Sequence, residues 1–482
     1  MANAAQNHDE QTAKWAEALA ALNGAEFIEY LRGCRWFGGK AQTLRGVQIM
    51  ESLSVRDAGR MILLQADYDG ASSEAYLLPM RLAEEDAGLV DALEDGHFRA
   101  ALLEIIVGEQ RLCCGSGELV GICGEVFKTQ LKEMTQPLPS QVLKVEQSNS
   151  SILYDERFFL KLYRWPELGV NPDVELLRFL SGEGRFGNVP GYCGVIEYRA
   201  PGAEPRVLGL LVTNVPNECT AWTSTLHSLA HKHEADEIMG GSDLERVRLL
   251  GVRTAQMHLA LAAETEDADF VPEAFTAAYR VALCRSMAEG IRNMMQLLEQ
   301  KAHALPDGIR DEVVDLLRRE PEILQRYSRL MDGQVNAMRI RIHGDYHLGQ
   351  VLDTGDDFII IDFEGEPARP LNERRIKHSP LRDVAGMLRS FDYAAHTAMA
   401  QRTSRLEEWT EGVSREFLNA YLTTAEGASF LPGNGEELRM LLEVCLLEKA
   451  VYEVCYELNN RPDWAAIPLR GILRILERSG AQ

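Results

Sequence analysis

Apolar residues recur at helical spacing over residues 11–32, where Trp15, Leu19, Leu22, Phe27 and Leu31 mark one side of an amphipathic helix. The block Arg35-Trp36-Phe37-Gly38-Gly39-Lys40 ends that pattern, and strand-like runs follow at 47–55, 61–66 and 76–78. This first region reads as a small α+β unit ending before Pro137-Leu138-Pro139. Past that break, strands are predicted at 142–146, 151–154 and 158–163, then a helix from Pro172 with Val174, Leu177 and Leu180 on one side. Two further strands, 195–198 and 207–213, complete a small antiparallel sheet. From Ala221 the periodicity is mainly helical, interrupted by strand-like segments within 339–363. The predicted class is α+β: a cap with the start of an intermediate region over 1–135, a small sheet lobe over 136–215 and a mainly helical lobe over 216–482.

Composition narrows the function classes. With 482 residues, 46% of them hydrophobic, the chain can bury a large core. A net charge of −23 argues against nucleic acid as a partner, because phosphate backbones demand clustered Lys and Arg. No apolar run reaches the roughly eighteen residues of a membrane span. Residues 1–10 are polar and lack the basic-then-apolar plan of a signal peptide, so a cytoplasmic location is expected. The nine cysteines are odd in number and scattered; Cys113, Cys114 and Cys123 come nearest to a cluster but lack paired C-x-x-C spacing, which reads as reduced thiols without zinc. His227, His231 and His233 have no Glu in the H-E-x-x-H place and read as a surface helix.

The chemistry is concentrated in Ile342-His343-Gly344-Asp345-Tyr346-His347-Leu348-Gly349-Gln350, followed across a turn at 353–357 by Ile361-Asp362-Phe363-Glu364. Phosphoryl transfer needs a carboxylate to orient the acceptor hydroxyl and oxygen ligands for the cations that bridge the phosphates. The protein-kinase order H-R-D-x-x-x-x-N then D-F-G supplies these parts. Here Asp345 takes the catalytic place, Gln350 and Asp362 the metal-ligand places, and Glu364 a further metal position where protein kinases have Gly. Each acid alone could be a turn cap or a strand end; the ordered set is far more specific.

The small lobe supplies the nucleotide side. Lys161 lies in an apolar strand, where an unpaired ammonium is costly, and Glu175 on the next helix is its expected partner. Gln147 and Ser148, with Asn149 and Ser150, would form the turn over the ATP phosphates, although ordinary turns use the same residues. Thr213 and Val215 flank Asn214 at the strand end expected to serve as an adenine-binding hinge.

Ser379-Pro380 reads as the start of a helix whose apolar stripe is Leu381, Val384, Ala385, Leu388 and Phe391. Arg389, Asp392, Tyr393 and His396 recur on another face. A later helix has Leu447, Val451, Val454 and Leu458 on one side and Lys449, Tyr452, Glu453, Tyr456 and Asn460 elsewhere. Such polar stripes are often solvated faces; here they are also candidates for binding a polyhydroxylated acceptor. His343 joins Arg389, Asp392, Tyr393, Lys449, Tyr452, Glu453 and Tyr456 as a candidate substrate residue. Asp383, at the start of its helix, reads as structural, either binding backbone N–H groups behind the catalytic loop or favouring the helix N-terminus.

The H-G-D-x-H-x-G-Q form resembles aminoglycoside phosphotransferases and their small-molecule kinase relatives. The blocks 35–40, 146–149, 342–350, 362–367, 379–393 and 452–468 together resemble bacterial maltokinases. That resemblance implies a bilobal eukaryotic-protein-kinase-like fold with an N-terminal α+β cap, use of ATP and Mg²⁺, and phosphorylation of maltose at its anomeric hydroxyl to give maltose 1-phosphate for α-glucan synthesis. Ala41 departs from the Gly or Ser of the pattern. Because the chain carries no trehalose-synthase domain, the expectation is a kinase acting alone or with a separate trehalose synthase. The alternatives are a sibling kinase for another sugar, an amino sugar or an aminoglycoside, and a catalytically silent kinase fold used for binding. Retention of Lys161, Asp345, Gln350 and Asp362 together disfavours the last.

Overall fold

The computed structural model describes residues 13–20, 22, 24–69, 73–83, 88–131, 137–143, 148–182, 184–231, 240–305, 307–331, 335–399 and 403–479. The chain divides into two compact units, Met1–Ser181 with Pro190–Val215, and Gly182–Val189 with Pro216–Gln482.

In the first unit, residues 13–20 are helical and a second helix spans Ala25–Gly33, so the single helix expected over 11–32 is two. Gly24 takes an extended conformation (φ −81°, ψ 162°), which ends one helical path before the next begins. A four-stranded antiparallel sheet follows in sequence order: Leu44–Val55, Gly59–Tyr68, Glu74–Leu82 and Leu89–Asp91. Its alternation sends side chains to two different cores. Ile62, Leu64, Tyr76 and Leu78 pack with Trp15, Phe27, Leu31 and Phe37. Met61, Leu63 and Leu77 belong instead to the core built by Phe98, Leu102, Ile105 and Ile106 of the Gly96–Val107 helix.

That second core lies on a seven-stranded sheet of order Arg111–Cys114, Gly117–Cys123, Tyr192–Arg199, Arg206–Thr213, Phe158–Leu162, Ser150–Tyr154, Ser140–Leu143. The boundary expected at 135/136 falls inside this sheet, because Gly117–Cys123 pairs across a long chain separation with Tyr192–Arg199. The sheet lobe therefore starts before residue 136, and residues 182–189 belong to the other unit.

The second unit is mainly helical, with Gly241–Leu261, Ala277–Lys301, Leu381–Met399, Thr403–Thr424, Gly435–Asn460 and Ala466–Ser479 as its long helices. Leu381, Val384, Ala385 and Phe391 are buried, as are Leu447, Val451, Val454 and Leu458. Phe391 meets Trp409 and Phe417 edge-on. A three-stranded sheet, Cys219–Thr220, Val351–Asp353 and Phe358–Ile360, carries the segment between Gln350 and Asp362. All nine cysteines are free. No helix among the described residues is long and apolar enough to cross a membrane.

Candidate active site

Residues 341–350 form an irregular segment leading into the Val351–Asp353 strand, and its backbone donors are met from behind. The buried Asp383 carboxylate accepts from His343 N (2.8 Å) and Gly344 N (3.0 Å). His258 Nε2 lies 3.1 Å from the same carboxylate, and its Nδ1 is 2.9 Å from Tyr421 Oη. Burial works against ionisation of Asp383, but the hydrogen bond and charge of His258, then His343 and Gly344, outweigh it and hold the carboxyl below the usual range. Of its two possible structural roles, Asp383 performs the first, binding the loop backbone.

Glycine is required at two nearby points. Gly344 has φ +87°, and Gly386 lies so close to the loop that a Cβ would stand 2.5 Å from Tyr346 O. Asp362 itself adopts φ +66°, a left-handed conformation tolerated by Asp but uncommon outside turns and functional segments.

His343 is not a substrate residue in this arrangement. It is 1% exposed; Nε2 donates to Ile361 O (2.9 Å) and Nδ1 accepts from Asp345 N (3.3 Å). Both ring nitrogens are thus spent tying the Asp345 turn to the strand that leads to Asp362.

Asp345 is partly exposed, and Lys449 Nζ donates to its Oδ1 at 3.0 Å and to Glu366 Oε1 at 2.8 Å. Arg369 also bonds Glu366 (2.6 Å), and Arg382 bonds Glu448 (2.7 Å). Burial alone would raise the Glu366 carboxyl, but Lys449, Arg369 and Arg382 hold it at about 2. Burial likewise disfavours the Lys449 charge, which Glu366, Asp345 and Glu453 keep well above the ordinary lysine range. Lys449 is therefore a permanent cation fixing the direction of the Asp345 carboxylate. Its ammonium also lies 4.8 Å from the Tyr452 ring centre, and Tyr452 stacks on the exposed Tyr456 (6.4 Å, 24°). These three residues share one face of the Gly435–Asn460 helix, starting at Asp345 and running outward.

The other predicted acceptor residues do not join that face. Arg389 donates to Glu453 (2.8 Å) and Asp392 (2.5 Å), and Arg474 bonds both oxygens of Asp392 (2.7 and 2.6 Å). Arg389 and Asp392 are buried, and this network, which also engages Glu453, cross-links three helices. Tyr393 stacks on Trp464 (6.2 Å, 25°) and donates to Glu457 Oε1 (3.1 Å). The stripes at 389–393 and 449–456 do face each other, but much of that facing surface is ion-paired helix packing.

Gln350 Nε2 donates to Asp362 Oδ2 at 2.7 Å, and the Gln350 amide also carries a carbonyl oxygen able to act as a ligand. With Glu364 close in sequence, the donor set is all oxygen and carries two carboxylates. Such a set fits a hard cation such as Mg²⁺ rather than a thiolate- or imidazole-seeking metal.

In the first unit, Lys161 Nζ pairs with Asp173 Oδ2 at 3.2 Å, and Tyr163 Oη donates to the same oxygen at 3.0 Å. Sequence reasoning passed over Asp173, two residues before Glu175 on the Pro172–Leu180 helix, as a partner. Asn171 caps that helix through Asp173 N and Val174 N. Ser148 precedes the Ser150–Tyr154 strand; Gln147 lies outside the described residues. Thr213 N and Asn214 N are already bonded to Gly191 O and Arg157 O.

A family model for the maltokinase N-terminal cap domain matches residues 30–98. Glucosamine kinase from Streptacidiphilus jiangxiensis is 26% identical over 331 residues, covering 67% of this chain and 70% of the relative. Glucosamine kinase from Mycolicibacterium smegmatis (strain ATCC 700084 / mc(2)155) is 22% identical over 345 residues, covering 70% and 79%. The solved structure of glucosamine kinase in complex with glucosamine, ADP and inorganic phosphate matches with a TM-score of 0.67 at 19% identity, over 89% of this chain and 94% of that one. The fold is thus the bilobal α+β fold of kinase-like enzymes. The chain is similar to these glucosamine kinases, and its residues 30–98 match the maltokinase N-terminal cap domain.

Proposed function

We propose that this protein is an ATP-dependent sugar kinase, and that maltose is its acceptor, phosphorylated at the anomeric hydroxyl. The observation that carries the reading is the catalytic segment itself. Asp345 is held by Lys449 on one side and by the His343–Asp383 scaffold on the other, with Gln350 and Asp362 joined at the two ends of the hairpin that follows. An acceptor hydroxyl hydrogen-bonded to Asp345 is oriented by it and passes it a proton as the phosphoryl group transfers. Lys449, cationic throughout, keeps the carboxylate aimed and interacts with negative charge near the acceptor. Mg²⁺ bound at Gln350, Asp362 and Glu364 would neutralise phosphate charge. Lys161, fixed by Asp173, is the candidate contact for the nucleotide phosphates.

The choice of a disaccharide rests on the tyrosine pair. Along an α-helix the rise is about 1.5 Å per residue, so Tyr456 stands about 10 Å from Lys449, beyond the reach of one sugar ring held at Asp345. Stacked Tyr452 and Tyr456 offer apolar faces along that length, suited to a second pyranose.

Glucosamine is the second reading, favoured by the two glucosamine kinases similar over two thirds of this chain. Steady-state assays with maltose, glucose and glucosamine, with NMR assignment of the phosphorylated oxygen, separate these. A kcat/KM for glucosamine above that for maltose would overturn the maltose assignment. Phosphate on a non-anomeric oxygen would do the same.

A further inference from the structure

The block Trp36-Phe37-Gly38-Gly39-Lys40 has so far no part in the chemistry. Its backbone is pressed into place: a Cβ on Gly39 would stand 2.3 Å from Tyr68 Oη, and Phe37 packs 5.0 Å from the Tyr76 ring. Trp36 is thereby set over the guanidinium of Arg164, 5.1 Å from ring centre to Cζ.

Arg164 follows the Phe158–Leu162 strand and is three residues past Lys161. It is 3% exposed and bonded in three directions. Toward the cap, its carbonyl accepts from Leu77 N (2.9 Å), Nη1 donates to Leu77 O (3.2 Å), and Nη2 reaches Asp91 Oδ2 (3.5 Å). Toward the turn expected to cover ATP phosphates, Nε donates to Ser150 Oγ (2.8 Å) and its backbone N to Asn149 Oδ1 (3.4 Å). Toward the remaining side lies Trp36. The strand that Ser150 begins is also the direct partner of the Lys161 strand, with Ser151 opposite Lys161.

One buried guanidinium thus links the N-terminal aromatic block, a strand of the cap sheet and the start of the nucleotide hairpin. We propose that Arg164 is a positioning residue through which the cap sets the conformation of the 149–150 turn, and with it the affinity for nucleotide. This rests on the kinase reading, in that the turn beside Lys161 must face ATP. The planar fork matters, since only Arg offers donors in three directions from one rigid group; a lysine at the same place keeps charge but not the geometry.

The test compares the full-length parent with Trp36→Leu, Asp91→Asn, Arg164→Lys and the Trp36→Leu/Asp91→Asn double variant. KM for ATP and for sugar, kcat, Tm and ADP affinity by calorimetry are measured for each. The expected result is a rise of about tenfold in KM for ATP and in the ADP dissociation constant, the scale of one charge-assisted hydrogen bond. KM for sugar and kcat should stay within about twofold, and the double variant should be no worse than roughly its worse single parent, since both substitutions interrupt one path. If Arg164→Lys does not fold, Trp36→Leu and Asp91→Asn carry the test. An active parent whose variants show lowered Tm but unchanged KM for ATP and ADP affinity overturns the positioning role alone. A parent that neither turns over ATP with any sugar nor binds ADP overturns the kinase reading, and this proposal with it.

Discussion

Replacing Lys449 with Met keeps the side chain's length and removes its charge from between two acids. The parent ammonium lies 3.0 Å from Asp345 and 2.8 Å from Glu366, whose side chains are 22% and 6% exposed. The Glu366 carboxyl gives a scale for the loss. Its lowering from 4.5 to about 2 corresponds, at about 1.4 kcal/mol per unit, to about 3 kcal/mol of stability. The folded value lies below the unfolded one, so this contribution is complete above about pH 5 and is lost as pH falls toward about 2. Lys449 is the largest of the cations opposing burial there, so Lys449→Met should cost on the order of 3 kcal/mol near pH 7, once the unpaired Asp345 is included. For a unit of this size that is a fall of roughly 6 °C in Tm. Differential scanning fluorimetry from pH 7 to pH 4 should show the gap between parent and variant narrowing with acid, because the parent loses what the variant already lacks. Turnover at pH 7 should fall at least tenfold with the Asp345 carboxylate no longer aimed. A variant with parental Tm and kcat, or a gap that widens as pH falls, would refute the reasoning.

Asp345→Asn should lower kcat by about 10²–10⁴ while calorimetry still detects nucleotide and sugar binding, and a variant keeping half of parental kcat removes Asp345 from the mechanism. Tyr456→Ala should raise KM for maltose several-fold and leave KM for glucosamine unchanged; equal effects on both sugars sink the two-ring acceptor site. Asp383→Asn replaces an acceptor of two loop N–H groups with an amide that can satisfy them only in part. It should destabilise by about 3 kcal/mol and speed amide exchange at His343 and Gly344. Because the Asp383 carboxyl is held below its usual range, that deficit should shrink as pH falls below about 4, and unchanged exchange rates would reduce Asp383 to a helix-end charge.

What could be read from the chain alone follows the range of the interactions involved. The helix of Leu381–Met399 and the hairpin carrying Lys161 are governed by local periodicity, and Leu381, Val384, Ala385 and Phe391 in the one and Ile152, Leu160 and Leu162 in the other are buried as that periodicity predicts. Asp383 was legible as an acid opening a helix, because orphan N–H groups are a local problem with a local solution. Non-local pairing was not legible. Whether a polar stripe meets water or another helix depends on what packs against it, and Arg474, 82 residues from Asp392, was invisible to the spacing of Arg389 and Asp392. The same limit explains His343. A histidine beside a catalytic acid suggests ligand contact, until the Ile361 carbonyl 18 residues away needs a donor.

Asp173 and Glu175 mark the border between the two cases. Glu175 is the partner that the sequence suggests for Lys161; Asp173, about 200° away on the same helix at about 100° per residue, also places its carboxylate beside that lysine. Asn171 closes the first turn through Asp173 N and Val174 N and fixes where the helix starts. The Tyr163 hydroxyl then holds the Asp173 carboxylate beside Lys161. A cap, a tyrosine and an acid, each ordinary in sequence, combine only through the sheet register that aligns Ser151 with Lys161.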